Sequence, residues 1–253
     1  MEEVLQKNAR TPEHKKNQRY LNEVYKVYQY EVQALYAQQN RQDKFMNQWI
    51  HQMKTPLAVI DLLLQDDAEL DKGNVQEEID RLKRGLEMVL VNARIDKFEE
   101  DMQIEQVYLK QIVTKVINEN KRLFIANHVF PDIQIDSELV VTSDSKWLHF
   151  IIGQFVTNAV KYTFEDNKKI YISVIEVEHS VVLTIRDEGI GIPKSDILRV
   201  TKPFFTGENG RKTRESSGMG LYLANEICRK LGHDLVITSE VGEGTTVAIT
   251  FKK

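Results

Sequence analysis

The uneven distribution of glycine is the feature that most restricts the fold of this chain. Of its 12 glycines, only Gly73 and Gly85 lie before residue 150, and the other ten lie between Gly153 and Gly244. Glycine weakens helices and marks turns, so a glycine-poor stretch favours helix and a glycine-rich stretch favours strands joined by loops. The sequence therefore predicts an α+β protein, with a helical N-terminal part followed by a mixed part.

The N-terminal part carries a helical pattern. An alternating three- and four-residue spacing from Leu21 to Leu63 meets apolar or ring-bearing residues at nine of thirteen positions. Polar residues such as Glu31 interrupt this stripe before Phe45, which predicts weaker packing there. Pro56 lacks a backbone donor and is expected to kink the helix.

A second helical stripe runs from Val75 to Ala93, after a turn predicted between Asp66 and Asn74. Two helices joined by a short loop form an antiparallel hairpin. A lone hairpin cannot bury both stripes, so pairing of two hairpins in a four-helix bundle, and hence a homodimer, is expected.

From Ile104 onwards the pattern predicts a sheet that helices cover on one face. The helices are expected at residues 109–127, 144–163 (capped by Asp144 or Ser145) and 220–231. The strands are expected at residues 133–135, 139–142, 169–177, 181–187, 235–239 and 245–251.

Composition excludes several classes of protein. The 34 Lys and Arg against 38 Asp and Glu leave a net charge of −4, which does not attract nucleic acid. Cys228 is the single cysteine, so no intramolecular disulfide forms and a cytoplasmic location fits. No apolar run approaches the roughly 18–20 residues that span a bilayer, and the six histidines share no metal-ligand spacing.

The first candidate for chemistry is His51, beside the apolar stripe and shortly before a proline. A neutral imidazole can attack a phosphoryl group near neutral pH. Lys54 and Thr55 follow at helical spacing, and a cation and a hydroxyl there could hold a phosphate or orient a water. A histidine that merely lies on a helix surface is the alternative.

The second candidate is a polar face of the helix predicted over residues 144–163. Asn158, Lys161 and Tyr162 are three and four residues apart, so they share that face. An amide oxygen can ligate Mg²⁺, an ammonium can bind phosphate, and an aromatic ring can contact a base. An ordinary solvated face is the alternative.

Glycine-rich motifs follow. Asp187 ends a predicted strand, and Gly189 and Gly191 come directly after it, so a carboxylate could accept from an amine while the backbone approaches a flat ligand. Residues 216–221, with Gly218, Gly220 and Leu221, open a helix whose N–H groups could bind an anion. Taken alone, these are also ordinary turns and caps, as is the turn at residues 241–245.

In this order, the motifs of residues 43–253 resemble the bacterial sensor histidine kinases of two-component systems. Residues 45–57 are similar to the phosphoacceptor box, and residues 104–253 to the Bergerat-type (GHKL) ATP-binding domain. The detailed sequence of some segments, such as residues 202–210, is similar to that of the BceS-like intramembrane-sensing subgroup. Kinases of that subgroup partner peptide-antibiotic ABC transporters. The resemblance divides the chain into a linker helix (1–42), a dimerisation and phosphotransfer hairpin (43–103) and an ATP-binding domain (104–253).

The resemblance also implies a role for each motif. His51 would take the γ-phosphoryl of ATP and pass it to an aspartate of a response regulator, and Thr55 would support a phosphatase reaction on that regulator. The residues implied in binding Mg²⁺-ATP are Asn158 (Mg²⁺), Lys161 (phosphate), Tyr162 (nucleoside), Asp187 (adenine amine), Gly189 and Gly191 (adenine pocket), Thr245 (support of Asp187), Thr206 to Ser217 (lid), and Gly218, Gly220 and Leu221 (hinge).

Two residues depart from the family pattern. Gln52 stands where most members carry an acidic proton acceptor, which leaves the general base open. Gln154, four residues before Asn158, stands where the family often carries Asn or Glu, and it would be a neutral ligand of Mg²⁺. An ATP-binding scaffold without phosphotransfer therefore remains an alternative, as does an ATPase or chaperone of the same nucleotide fold. Because the family is usually anchored in the membrane, the chain is expected to be the cytoplasmic portion of a longer membrane protein, with a soluble kinase as the alternative.

Overall fold

The computed structural model describes residues 11–65, 72–95, 97–207 and 217–252. The chain forms two compact units, Met1–His51 and Gln52–Lys253, and the border between them falls inside the first helix. The predicted turn after Asp66 and most of the predicted lid, residues 208–216, lie outside the described residues. No helix in the described ranges is long and apolar enough to cross a membrane.

Helix α1 spans Pro12–Gln65 and is 54 residues long. Its length follows from the absence of glycine, and Pro12 fits the first turn because a missing N–H costs nothing there. The helix continues on both sides of Pro56. Among the residues of the first unit whose burial is described, Phe45 alone is buried. The tyrosines and aliphatic residues between positions 20 and 36 are exposed, apart from the partly exposed Val32.

Helix α2 spans Lys72–Ile95. The prediction of Gly73 and Asn74 as turn residues is wrong, because both belong to the first turn of α2. A glycine is tolerated there since the first N–H groups of a helix have no intrahelical acceptor to lose. Val91 and Glu78 are buried, and Arg81 pairs with Glu77 and Glu78 at 2.8 Å.

The rest of the second unit is the predicted mixture of helices and strands, which confirms the α+β class. Its helices are α3 (Phe98–Asp101), α4 (Leu109–Glu119), α5 (Lys121–Ala126), α6 (Ser145–Lys161), α7 (Lys194–Ile197) and α8 (Gly220–Lys230). Its strands are β1 (Glu105–Tyr108), β2 (Phe130–Gln134), β3 (Val140–Ser143), β4 (Lys169–Val177), β5 (Ser180–Asp187), β6 (Asp234–Glu240) and β7 (Gly244–Lys252).

Five strands form the main sheet in the order β2-β4-β5-β7-β6, with β2 parallel to β4 and the other pairs antiparallel. Side chains alternate between the faces. One face is buried, as at Ile172, Leu183 and Ile249, and it packs with α6, which carries the buried Phe155. Strands β1 and β3 form a separate antiparallel pair. The predicted cap is confirmed, since the Asp144 carboxylate accepts from the Trp147 N–H at 3.0 Å.

Two sequence expectations need correction. The single helix expected over residues 109–127 is two helices, because the chain breaks at Asn120, whose side-chain amide donates to the Val116 carbonyl at 2.8 Å. Strand β2 begins at Phe130 rather than Ile133 and contains Pro131. Proline is tolerated here because β2 is an edge strand of the sheet.

Candidate functional site

Asp187 ends strand β5 and carries two side-chain hydrogen bonds. Its side chain is buried, and its Oδ1 accepts from the backbone N–H of Gly189 at 2.9 Å and of Thr245 at 3.0 Å. Register explains the meeting, because β5 pairs with β7 and Thr245 is the second residue of β7. Since both bonds fall on Oδ1, the second oxygen, Oδ2, is left for a ligand.

Electrostatics at Asp187 reflects two opposed causes. Burial raises the pKa of its carboxyl above the usual 3.8, while the N–H groups of Gly189 and Thr245 lower it. Charge on a buried carboxylate is tolerable only where donors compensate it. The two N–H groups therefore hold an acceptor in a fixed place at the end of the sheet.

The loop after Asp187 is shaped by close backbone contacts. A Cβ on Gly189 would collide with the carbonyl oxygen of Tyr162, and the Ile190 N–H donates to that same oxygen at 3.1 Å. Gly191 has a φ of +68°, and a Cβ there would collide with the Glu240 carbonyl. Glycine is thus required at both positions, and the loop is held against the end of α6.

The turn between β6 and β7 completes this end of the site. Gly244 has a φ of +111°, and a Cβ on it would collide with the Asp187 carbonyl oxygen. The Gly242 N–H donates to the Ile190 carbonyl at 3.0 Å. The turn that looked ordinary in the sequence is therefore packed against Asp187 and its loop.

The polar face of α6 lies beside this loop. Asn158 and Lys161 occupy the last turns of α6, and Tyr162 is its C-terminal cap; all three are half-buried. The Tyr162 N–H donates to the Asn158 carbonyl at 3.0 Å, and its own carbonyl receives the loop after Asp187. The structure thus brings the second and third sequence motifs together.

The fourth motif meets the same helix further back. Gly220 begins α8, and a Cβ on it would collide with Oε1 of Gln154, one turn before Asn158. Gly218 has a φ of +65°, and its carbonyl accepts from the Phe204 N–H at 3.0 Å. Helix α6 therefore contacts two parts of the site. The C-terminal end of α6 contacts the Asp187 loop, and the middle of α6 contacts the first turn of α8.

Two further predicted site residues belong to the predicted lid and hinge. Thr206, at the edge of the predicted lid, and Leu221, in the first turn of α8, are both half-buried. Of the predicted lid, Thr206, Gly207 and Ser217 are described, and residues 208–216 lie outside the described ranges.

The predicted phosphoacceptor group lies on α1. His51, Lys54 and Thr55 are each exposed, whereas Gln52 is half-buried and Pro56 is buried. An exposed imidazole is accessible to a second reactant, as nucleophilic attack requires.

Sequence reasoning missed Ser239, in strand β6. Its hydroxyl accepts from the Ile192 N–H at 2.8 Å, donates to the Gly244 carbonyl at 2.7 Å and lies 2.9 Å from the Thr245 hydroxyl. A serine in an alternating strand gives no sequence signal for such a role, because the bonds depend on which loop packs over the strand.

A groove of about 1030 Å³ lies elsewhere, along α4 and residues 137–138, and its lining includes Lys110 and Glu119. None of the predicted site residues lines it.

Comparison with known proteins assigns the fold. Residues 143–253 match the family model described as histidine kinase-, DNA gyrase B-, and HSP90-like ATPase. Among solved structures, the histidine kinase AdeS of Acinetobacter baumannii is similar over 80% of this chain and 97% of its own, with a TM-score of 0.60 and 20% identity. The histidine kinase ThkA, solved in complex with the response regulator protein TrrA, covers 81% of this chain and 59% of its own, with a TM-score of 0.57 and 19% identity.

Curated relatives are closer in sequence. The sensor histidine kinase YxdK of Bacillus subtilis is 44% identical over 82% of this chain and 64% of the relative. The sensor protein BceS of Halalkalibacterium halodurans is 35% identical over 81% of this chain and 61% of the relative. The sensor protein kinase GraS of Staphylococcus aureus is 31% identical over 99% of this chain and 72% of the relative. The chain thus spans about three fifths of the length of the first two relatives.

Proposed function

This chain belongs to the sensor histidine kinase family, and from that premise we propose that it is an ATP-dependent protein-histidine kinase of a two-component system. It phosphorylates His51 and passes the phosphoryl group to an aspartate of a response regulator. The observation that carries the proposal is the convergence on α6, where the Asp187 loop and the start of α8 both contact one helix. That arrangement provides an acceptor for a base at the C-terminal end of α6 and N–H donors for phosphates beside its middle.

Nucleotide binding follows from the groups at each end. Oδ2 of Asp187 accepts from the adenine amine, since Oδ1 is already held by two N–H groups. The first N–H groups of α8, whose approach Gly218 and Gly220 permit, bind phosphate oxygens. Lys161 adds a positive charge for the phosphates, Tyr162 borders the nucleoside, and Thr206 and Leu221 border the phosphate side.

The residues also fit Mg²⁺. Among the described residues, no group of three His, Cys, Asp or Glu side chains could hold a metal ion. Mg²⁺ commonly keeps its waters and binds through phosphates with few protein oxygens, so the amide oxygen of Asn158, supported by Gln154, is an adequate donor set. When bound, the ion neutralises charge on the transferred phosphoryl group.

Phosphoryl transfer at His51 needs positioning more than covalent chemistry by other residues. A neutral nitrogen of the exposed imidazole attacks the γ-phosphorus, a nitrogen–phosphorus bond forms, and the bond to the leaving ADP oxygen breaks. The proton of the imidazole goes to a base that Gln52 cannot supply, because an amide is a very weak base. Lys54 stabilises the phosphoryl oxygens, and Thr55 orients a water for hydrolysis of the phosphorylated regulator.

Three partners complete the proposal. A response regulator is supported by ThkA, a family member solved with one. A homodimer is supported by the exposed apolar residues of α1, among them Tyr30 and Leu35. A peptide-antibiotic ABC transporter, envelope-stress sensing and attachment to the cell membrane follow from the resemblance to the BceS-like subgroup, and the 35% identity to the sensor protein BceS agrees with that subgroup.

The test is phosphorylation with labelled ATP and Mg²⁺, followed by mapping of the acid-labile label. Wild-type protein is expected to be labelled, and His51→Ala unlabelled. His179→Ala, at another exposed histidine, serves as the matched control and retains the label. Equal labelling of wild type and His51→Ala contradicts the proposal.

Gln52 favours one second candidate, an ATP-binding scaffold that docks a regulator without transfer. It predicts ATP binding by the wild type with no phosphohistidine under any condition. Steady ATP hydrolysis that is unchanged in His51→Ala would instead favour the ATPase alternative.

A further inference from the structure

The hydroxyl of Ser239 bonds to two separate segments at the adenine end of the site. It accepts from the Ile192 N–H at 2.8 Å, donates to the Gly244 carbonyl at 2.7 Å and lies 2.9 Å from the Thr245 hydroxyl. Ile192 ends the glycine loop that begins after Asp187, and Thr245 donates its backbone N–H to Asp187 itself. Ser239 thus contacts both segments that surround Asp187.

The direction of each bond follows from the chemistry of a hydroxyl, which has one proton and two lone pairs. The proton of Ser239 is used on the Gly244 carbonyl, which has no proton to offer. One lone pair accepts from the Ile192 N–H. The Thr245 hydroxyl must therefore donate to the remaining lone pair, and the lone pairs of Thr245 Oγ1 stay available as acceptors.

We propose that Ser239 is a positioning residue for the purine end of the nucleotide site, acting through the Ile192 loop and the direction of the Thr245 hydroxyl. The inference rests on the proposed binding of ATP. An adenine amine is a donor, so a site that offers acceptors at Asp187 Oδ2 and Thr245 Oγ1 suits adenine, whereas guanine presents a carbonyl oxygen at the equivalent position.

The effect is local because other contacts hold the same segments. The Gly242 N–H bonds to the Ile190 carbonyl at 3.0 Å, and the Ile190 N–H bonds to the Tyr162 carbonyl at 3.1 Å. Strand β6 keeps its pairing with β7 from Asp234 to Glu240. Loss of the hydroxyl therefore loosens the purine end without removing the strand or the loop.

The experiment compares Ser239→Thr with Ser239→Val in the full chain. These two side chains have nearly the same shape, so only the hydroxyl differs. Ser239→Thr is expected to bind ATP nearly as wild type. Ser239→Val removes all three bonds of the hydroxyl and is expected to bind ATP about three- to tenfold more weakly, because those bonds reach the nucleotide only through the loop and the Thr245 hydroxyl. Thr238→Val, at the exposed neighbouring position, is the control and leaves binding unchanged.

Two readouts separate positioning from a structural role. In the phosphorylation assay, Ser239→Val should raise KM for ATP several-fold and leave kcat unchanged. The ratio of kcat/KM for ATP to kcat/KM for GTP should be smaller in Ser239→Val than in wild type. A double-mutant cycle of Ser239→Ala and Thr245→Ala should be non-additive, because each variant removes the same bond. Equal affinity of Ser239→Thr and Ser239→Val, with wild type binding ATP, overturns the inference alone. Failure of the wild type to bind ATP overturns the proposed function.

Discussion

Most apolar side chains of helix α1 are exposed, whereas those of helix α6 are buried. In α1, Tyr30 is 73% and Leu35 is 65% exposed. In α6, Trp147, Leu148 and Phe155 are each at most 2% exposed, because α6 packs against α4, α8 and the main sheet. The apolar side chains of α6 pack against other elements of the same chain, whereas Tyr30 and Leu35 of α1 have no such cover from the residues that the structure describes.

The difference teaches which part of the molecule is stable by itself. Burial of apolar surface is the main favourable term in folding, at about 25 cal/mol per Å². The sheet part obtains that term within one chain, whereas the exposed residues of α1 would obtain it only in the proposed dimer. We therefore expect the stability of the helical part to depend on protein concentration, and that of the sheet part to be independent of it.

The largest expected effect tests the packed side of this comparison. Phe155→Ala leaves a cavity under the sheet and should lower the free energy of unfolding by about 3–5 kcal/mol. Phe164→Ala, an aromatic in the same half that is 57% exposed, is the control and should change it by less than about 0.5 kcal/mol. Calorimetry of the full chain measures both, and equal losses would contradict the assignment of the core.

Acid should weaken the packed half through His233. Burial lowers the pKa of His233 from 6.5 to about 4, and its ring is bonded to the Ser143 hydroxyl at 2.8 Å. Between these two pH values the unfolded chain binds a proton that the folded chain does not, so stability falls as the pH falls. A loss on the order of 3 kcal/mol is expected by pH 4, and little is lost above pH 6.5.

The measurement is denaturant unfolding of wild type and His233→Gln between pH 7 and pH 4. In His233→Gln, the free energy of unfolding should fall less steeply with falling pH than in wild type. His179→Gln, at an exposed histidine, should keep the wild-type slope. Because burial raises the pKa of Asp187, that group acts in the opposite direction, and the difference between wild type and variant isolates His233. Parallel pH profiles for wild type and His233→Gln would refute the expectation.

Within the site, Asp187→Asn should weaken ATP binding by about 10- to 100-fold, since a bond to a charged group is worth about 1.5–3 kcal/mol. The amide keeps the volume of the carboxylate but turns an amino group towards the adenine amine. Calorimetric titration measures the change, with Asp132→Asn, in a surface ion pair with Lys169, as the control that retains affinity. Undiminished affinity in Asp187→Asn would remove the residue from the site.

The smallest effect concerns the exposed side of the comparison. Leu35→Glu places a charge in the apolar stripe of α1 and should shift the proposed dimer towards monomer, with little change in the unfolding of the sheet part. Gln33→Glu, a neighbouring exposed polar position, adds the same charge and should leave the dimer intact. Sedimentation at several concentrations measures the shift. A wild-type protein that stays monomeric at every concentration would contradict the expectation that α1 is buried in a dimer.

Much of the site was predictable because its chemistry sits in short motifs. Asp187, Gly189 and Gly191 were identified from a strand end followed by glycines. The structure leaves no room for a Cβ at the two glycines and gives the Asp187 carboxylate two N–H donors. Ser239 was not predictable, since its partners come from a loop 47 residues away and from the turn that follows β6. The break at Asn120 was also missed, because the apolar period continues across it.

The sequence by itself determined the order of helices and strands, the α+β class, the family, and the residue types that carry the chemistry. Those features depend on local periodicity, glycine and proline, which act over a few neighbouring residues. The tertiary structure alone decided that α6 supports both ends of the site, that a turn after β6 packs on Asp187, and that Ser239 joins them. Such contacts link residues far apart in sequence, and only strand register and helix packing bring them within hydrogen-bonding distance.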